Sequence, residues 1–116
     1  MKRDWDLVRQ GLLSLEQTET GQLMPSDVPG WDAQAVSYHM RLLDEAGLIR
    51  ARCISTNAGL SCVGLSLTWS GHELLDSIRT NTVWNRIKGL VREKGLDLSF
   101  EVVKDAARSV LAAMMQ

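Results

Sequence analysis

Between residues 33 and 46 the side chains divide into two sides of a helix. At 3.6 residues per turn, Ala35, Val36, His39, Met40, Leu42, Leu43 and Ala46 fall together, and Gln34, Ser37, Tyr38, Arg41, Asp44 and Glu45 fall opposite them. His39 is the one polar member of the apolar side. Asp32 stands before the pattern as an N-cap candidate, and Gly47 follows it where a left-handed C-terminal cap favours a residue without Cβ. The period then drops to two. Residues 48–68 read as a β-hairpin: Ile49, Ala51 and Cys53 share one face of the first arm, Thr56-Asn57-Ala58-Gly59 form the turn, and Leu65, Leu67 and Trp69 alternate with polar positions on the return. That turn pairs Ser55 with Leu60 and sets Cys53 opposite Cys62. Gly64 marks a bulge or a close approach.

The flanks are mostly helical. Trp5, Val8, Leu12 and Leu15 predict a helix from Asp4 to about Thr18, closed by Thr20-Gly21. Pro25 and Pro29 then forbid a continuous helix across residues 22–31, where a short edge strand fits near Gln22–Met24. A usual helix-turn-helix would need a complete helix in that stretch. Ser70 and Glu73 have capping-box spacing and open a helix to about Arg79. Thr82 caps a helix over residues 83–94, and Ser99 caps a last one over residues 100–115 with Val102, Val103, Ala106, Ala107, Val110, Leu111 and Met114 on its apolar side and Glu101, Lys104, Asp105 and Arg108 opposite. The fold class is therefore mainly α with a small antiparallel β-hairpin. Residues 1–80 form the hairpin-bearing part, and residues 81–116 a C-terminal helical extension packed on the same core as one domain.

Composition narrows the partners. Thirteen Lys and Arg stand against 14 Asp and Glu, so the chain lacks the basic excess of a dedicated nucleic-acid binder. No apolar run approaches the ~20 residues of a membrane span, and no signal peptide is visible, so the expected location is the cytoplasm. There Cys53 and Cys62 are expected as free buried thiols, although they face each other. The two cysteines and two histidines have no zinc-ligand spacing, and no cofactor is implied.

Three blocks, MKRDWDL (1–7), AVSYHMRLLDEAGLI (35–49) and LTWSGHELLDSIRTNTVW (67–84), resemble an uncharacterised bacterial family that is common in phages and prophages and carries a domain-of-unknown-function label. The resemblance implies a winged-helix-like fold and a phage or mobile-element origin. It carries over no catalytic residue. The middle block by itself resembles the recognition helix of winged-helix regulators, where a helix ending in LL-x-x-AGLI leads into the wing.

Candidate chemistry follows from that likeness. On an exposed recognition helix, Gln34, Ser37, Tyr38 and Arg41 would reach base edges, while Arg50 and Arg52 on the wing would meet phosphates. The leading expectation is a small DNA-binding or regulatory protein using residues 33–46 and 48–68, with double-stranded DNA as partner. The alternative is a protein–protein interaction module of phage origin with a vestigial helix-turn-helix, in which the same stripe is a solvated or protein-binding face. Asp44 and Glu45 on that stripe favour the alternative. No nucleophile, base and stabiliser can be assembled, so an enzyme is not expected. His39 reads as a core histidine and His72 as a local capping residue. The four tryptophans read as core anchors, with Trp31 the most accessible. The last helix is the expected homodimer surface.

Overall fold

The computed structural model describes residues 1–19 and 21–115. It contains helices α1 (Trp5–Gln17), α2 (Ala33–Glu45), α3 (Trp69–Ile78), α4 (Asn81–Glu93) and α5 (Phe100–Met114), with one antiparallel sheet of β1 (Ile49–Thr56) and β2 (Gly59–Leu67) between α2 and α3. The expected α-rich class with a small hairpin is what the chain adopts. None of the described helices is long and apolar enough to cross a membrane. The expected stop at Thr20 lies outside the described residues.

Two compact units divide at Glu73/Leu74, inside α3. The N-terminal unit, Met1–Glu73, is built around α2. Val36, Met40 and Leu43 of α2 are buried, as are Leu7, Val8, Leu12 and Leu15 of α1 and Ile49 at the start of β1. A void of only about 10 Å³ remains among Leu7, Leu15, Val36, Met40, Leu43 and Ile49. Asp4 caps α1 by accepting from the Asp6 and Leu7 N–H groups. His39 is buried as expected, and both ring nitrogens are used. Nε2 accepts the Asp4 N–H at 2.7 Å, so Nδ1 carries the proton and donates it to the Ala35 carbonyl at 2.8 Å. The histidine thus ties α2 to the start of α1.

The linker from α1 holds one short 3-10 turn, Pro25–Asp27, instead of a full helix. The expected edge strand is reduced to a single bridge, with Leu23 exchanging both backbone hydrogen bonds with Gly64. Pro25 supplies no N–H, which limits the pairing to one residue.

Hairpin register matches the expectation: Ser55 faces Leu60 and Cys53 faces Cys62. The turn is tighter than a four-residue loop, because Thr56 and Gly59 already pair. Gly59 has φ +113°, a conformation that L side chains rarely adopt, so it takes up the reversal that Asn57 and Ala58 do not. A register shift between Arg50 and Ala51 leaves Leu65 without a partner, a bulge next to Gly64. The expectation of free thiols does not hold. Cys53 and Cys62 are disulfide-bonded, with Cα atoms 4.1 Å apart. Their spacing is that of a non-hydrogen-bonded cross-strand pair, in which side chains approach most closely.

In the C-terminal unit, Leu74–Gln116, the buried positions are Leu74, Leu75 and Ile78, Val83, Trp84, Ile87 and Val91 of α4, and Val103, Ala106, Ala107 and Val110 of α5. Ser99 caps α5 as expected, by accepting from Val102 N–H. The caps of α3 and α4 differ from expectation. Thr80, not Thr82, accepts from Val83 N–H at the start of α4. α3 begins at Trp69, with Thr68 instead of Ser70 as the capping side chain: its Oγ1 accepts the Gly71 N–H and donates to the Gly47 carbonyl. Only a residue without Cβ fits at Gly71, since a Cβ there would run into the Leu48 carbonyl. The helix thus starts two residues earlier than the capping-box spacing indicates.

Candidate functional site

The expected contact stripe on α2 is divided between two roles. Non-hydrogen-bonded pairing at Ser55/Leu60, Cys53/Cys62 and Ala51/Gly64 turns those residues' N–H groups away from the partner strand, toward the outer edges of the hairpin. On β2, Leu60 N–H donates to Gln34 Oε1 at 3.2 Å, and Cys62 N–H donates to Ser37 Oγ at 3.1 Å. On β1, Ala51 N–H donates to Asp44 Oδ1 at 3.1 Å. Gln34, Ser37 and Asp44 are spaced i, i+3 and i+10, one stripe of the helix. α2 therefore crosses the hairpin from the outer edge of β2 near its tip to the outer edge of β1 near its base.

Ser37 is 1% exposed. The expectation that it reads a base edge does not hold in this structure, because its hydroxyl is enclosed against Cys62. Gln34 is exposed, yet its amide packs against Gly59 so closely that a Cβ there would lie 2.6 Å from Oε1. Tyr38 and Arg41 remain on the solvent side. The Arg41 guanidinium sits 5.6 Å above the Tyr38 ring and reaches Glu45 at 4.0 Å. The Tyr38 ring meets His39 edge-on, with centroids 5.7 Å apart.

Arg50 and Arg52 are exposed on one face of β1, shared with Ile54, which is 60% exposed. Ile49, Ala51 and Cys53 alternate with them on the other face, where Ile49 and Gly64 meet Val36, Met40 and Leu43 of α2. The two arginines consequently project from the hairpin face turned away from α2. The N-terminal unit as a whole carries six Lys and Arg against nine Asp and Glu.

One exposed apolar side chain escaped the sequence reading. Trp69 is 80% exposed, whereas Trp31 is half-buried, so the most accessible tryptophan is the former. The period-two pattern of β2 extends through Trp69 and assigns it to the inward set; the early start of α3 takes it out of that pattern. Ile54 continues the Arg50 and Arg52 parity and was legible as outward-facing. In the C-terminal unit, Leu111, Met114 and Met115 are exposed at the end of α5. A groove of about 190 Å³ runs between α4 and α5, lined by Leu90, Leu96, Val102, Ala106 and Ser109 among others.

The family described as "Hypothetical protein (DUF2513)" matches residues 2–97, and the chain belongs to it. An "Uncharacterized protein" of Haemophilus influenzae (strain ATCC 51907 / DSM 11121 / KW20 / Rd) is 47% identical over 117 residues, covering 99% of both chains. No solved structure matches.

Proposed function

We propose that this DUF2513 member is a non-catalytic protein–protein interaction module on a winged-helix-like scaffold, cytoplasmic and of phage or prophage origin. One observation carries the proposal: two of the four α2 residues that would read bases, Gln34 and Ser37, accept hydrogen bonds from the hairpin N–H groups of Leu60 and Cys62, and Asp44 of the same helix accepts from Ala51. The charge balance of the N-terminal unit points the same way, because six cations against nine anions repel a phosphate backbone. The exposed side chains that remain, Trp69, Ile54, Arg50 and Arg52, are of the aromatic, aliphatic and Arg types enriched at protein interfaces.

One observation favours a second reading, double-stranded DNA binding by α2 and the hairpin. The Gln34–Leu60 hydrogen bond sets the first turn of α2 and the hairpin tip at one end of the unit, with Arg41 exposed and Tyr38 half-buried. That geometry suits a helix in the major groove with a wing beside it. Fluorescence anisotropy with a labelled duplex of about 30 bp at about 50 mM salt separates the two. An interaction module gives no binding tighter than about 100 μM, the weak end of non-specific association, and no response to Arg41→Ala with Arg52→Ala. Tight binding that falls steeply with salt and is weakened by that double variant would establish DNA binding instead.

Self-association through α5 belongs to the same proposal. Leu111, Met114 and Met115 supply its support, as apolar side chains left in solvent at a helix end. Light scattering at tens of micromolar tests it: twice the 12.9 kDa chain mass is expected, and the mass of one chain would refute it.

A further inference from the structure

We propose that Trp69, held by Glu73, is a docking platform for an arginine-bearing segment of a partner protein. It rests on the protein-interaction reading and names the chemistry of the partner. Tryptophan is highly buried on average, whereas Trp69 is 80% exposed. The ring is held in place. Trp69 Nε1 donates to Glu73 Oε1 at 3.0 Å, one helical turn along, and the first turn of α3 is locked by Thr68 on Gly47 and by Gly71 against Leu48. An ordered aromatic surface costs little entropy on binding.

The chain's other aromatics indicate what belongs on that surface. Arg3 lies 5.3 Å from the Trp5 centroid, Arg41 5.6 Å from Tyr38, Lys88 5.7 Å from Trp84 and Lys104 5.1 Å from Phe100. Four of the six aromatic rings thus lie under a cation of the same chain. Among the described residues none lies over Trp69, the most exposed of the tryptophans. Glu73 is at the indole edge, and the Thr68–Gly47 hydrogen bond brings the start of α3 beside the C-terminal end of α2, the negative end of that helix dipole. A guanidinium can stack on an indole face and donate in its plane to a carboxylate at the same time, which an ammonium cannot.

The test uses dye-labelled peptides of alternating glycine and arginine, glycine and lysine, or glycine and glutamate, titrated with the full-length protein and followed by anisotropy. The arginine peptide should bind more tightly than the lysine peptide, and the glutamate peptide not at all. Trp69→Ala should weaken arginine-peptide binding about 3- to 30-fold, Trp69→Phe less, and Glu73→Gln to an intermediate degree. Trp69→Ala should leave the melting temperature unchanged, because the ring buries so little. Equal binding of the arginine peptide to wild type and Trp69→Ala overturns the platform, as does binding of the glutamate peptide. That failure is distinct from failure of the interaction reading, which only salt-sensitive duplex binding would bring about.

Discussion

Two polar stripes, one on α2 and one on α5, look alike in the sequence and end differently in the structure. On α5, Lys104, Asp105 and Arg108 interact within their own helix. Arg108 pairs with Asp105 at 3.0 Å, and Lys104 lies over Phe100. On α2, Gln34, Ser37 and Asp44 accept from backbone N–H groups of residues 26, 25 and 7 positions away. The difference lies in what each helix meets. α2 crosses a two-stranded hairpin, whose two outer edges present N–H groups with no strand partner. A buried edge N–H must be satisfied, so the helix lying across it supplies the acceptors. A polar face is therefore a solvated face only where no open edge lies against it.

The largest effect should come from opening the hairpin itself. The Cys53→Ala with Cys62→Ala variant removes a cross-link spanning 9 residues, and urea unfolding should show a loss of about 2–3 kcal/mol by loop-closure entropy. Next comes Ser37→Ala. It leaves the Cys62 N–H buried without an acceptor, and a loss of about 1–3 kcal/mol is expected in the same measurement. Gln34→Ala should cost less, about 0.5–1.5 kcal/mol, since Leu60 N–H can turn to water. Arg108→Ala on the α5 stripe should change stability by no more than about 0.5 kcal/mol, as an exposed pair within one helix. Equal costs for Ser37→Ala and Arg108→Ala would erase the distinction between the two stripes.

Much of this arrangement is legible in the residues. The Asn57–Gly59 turn fixes the register, and with it the facing cysteines. The 3.6 period places Val36, Met40 and Leu43 in the core and makes His39 a buried histidine. The fate of Ser37 is not legible, because its spacing on the helix is the same whether its hydroxyl meets water or Cys62 N–H. That choice is made by a strand 25 residues later in the chain. Trp69 was misread for a related reason. The Ser70 and Glu73 spacing is a genuine local signal, yet the approach of Gly71 to the Leu48 carbonyl and the Thr68 hydroxyl settle the helix start two residues earlier. Tertiary contact outweighed local propensity at both places, and both lie in the proposed functional region.

Amide hydrogen exchange along the two hairpin edges tests the role of the α2 stripe most directly. Cys62 and Leu60 on β2 have acceptors on α2, whereas the Cys53 and Ser55 N–H groups, turned to the outer edge of β1, have none among the described residues. In the wild-type protein the Cys62 amide should exchange far more slowly than those of Cys53 and Ser55, with Leu60 between them. Ser37→Ala should bring Cys62 toward the fast pair and leave the ladder amides protected. A Cys62 amide that already exchanges as fast as Cys53 and Ser55 in the wild type would show that the stripe is free in solution, and would return Gln34 and Ser37 to the surface available for DNA.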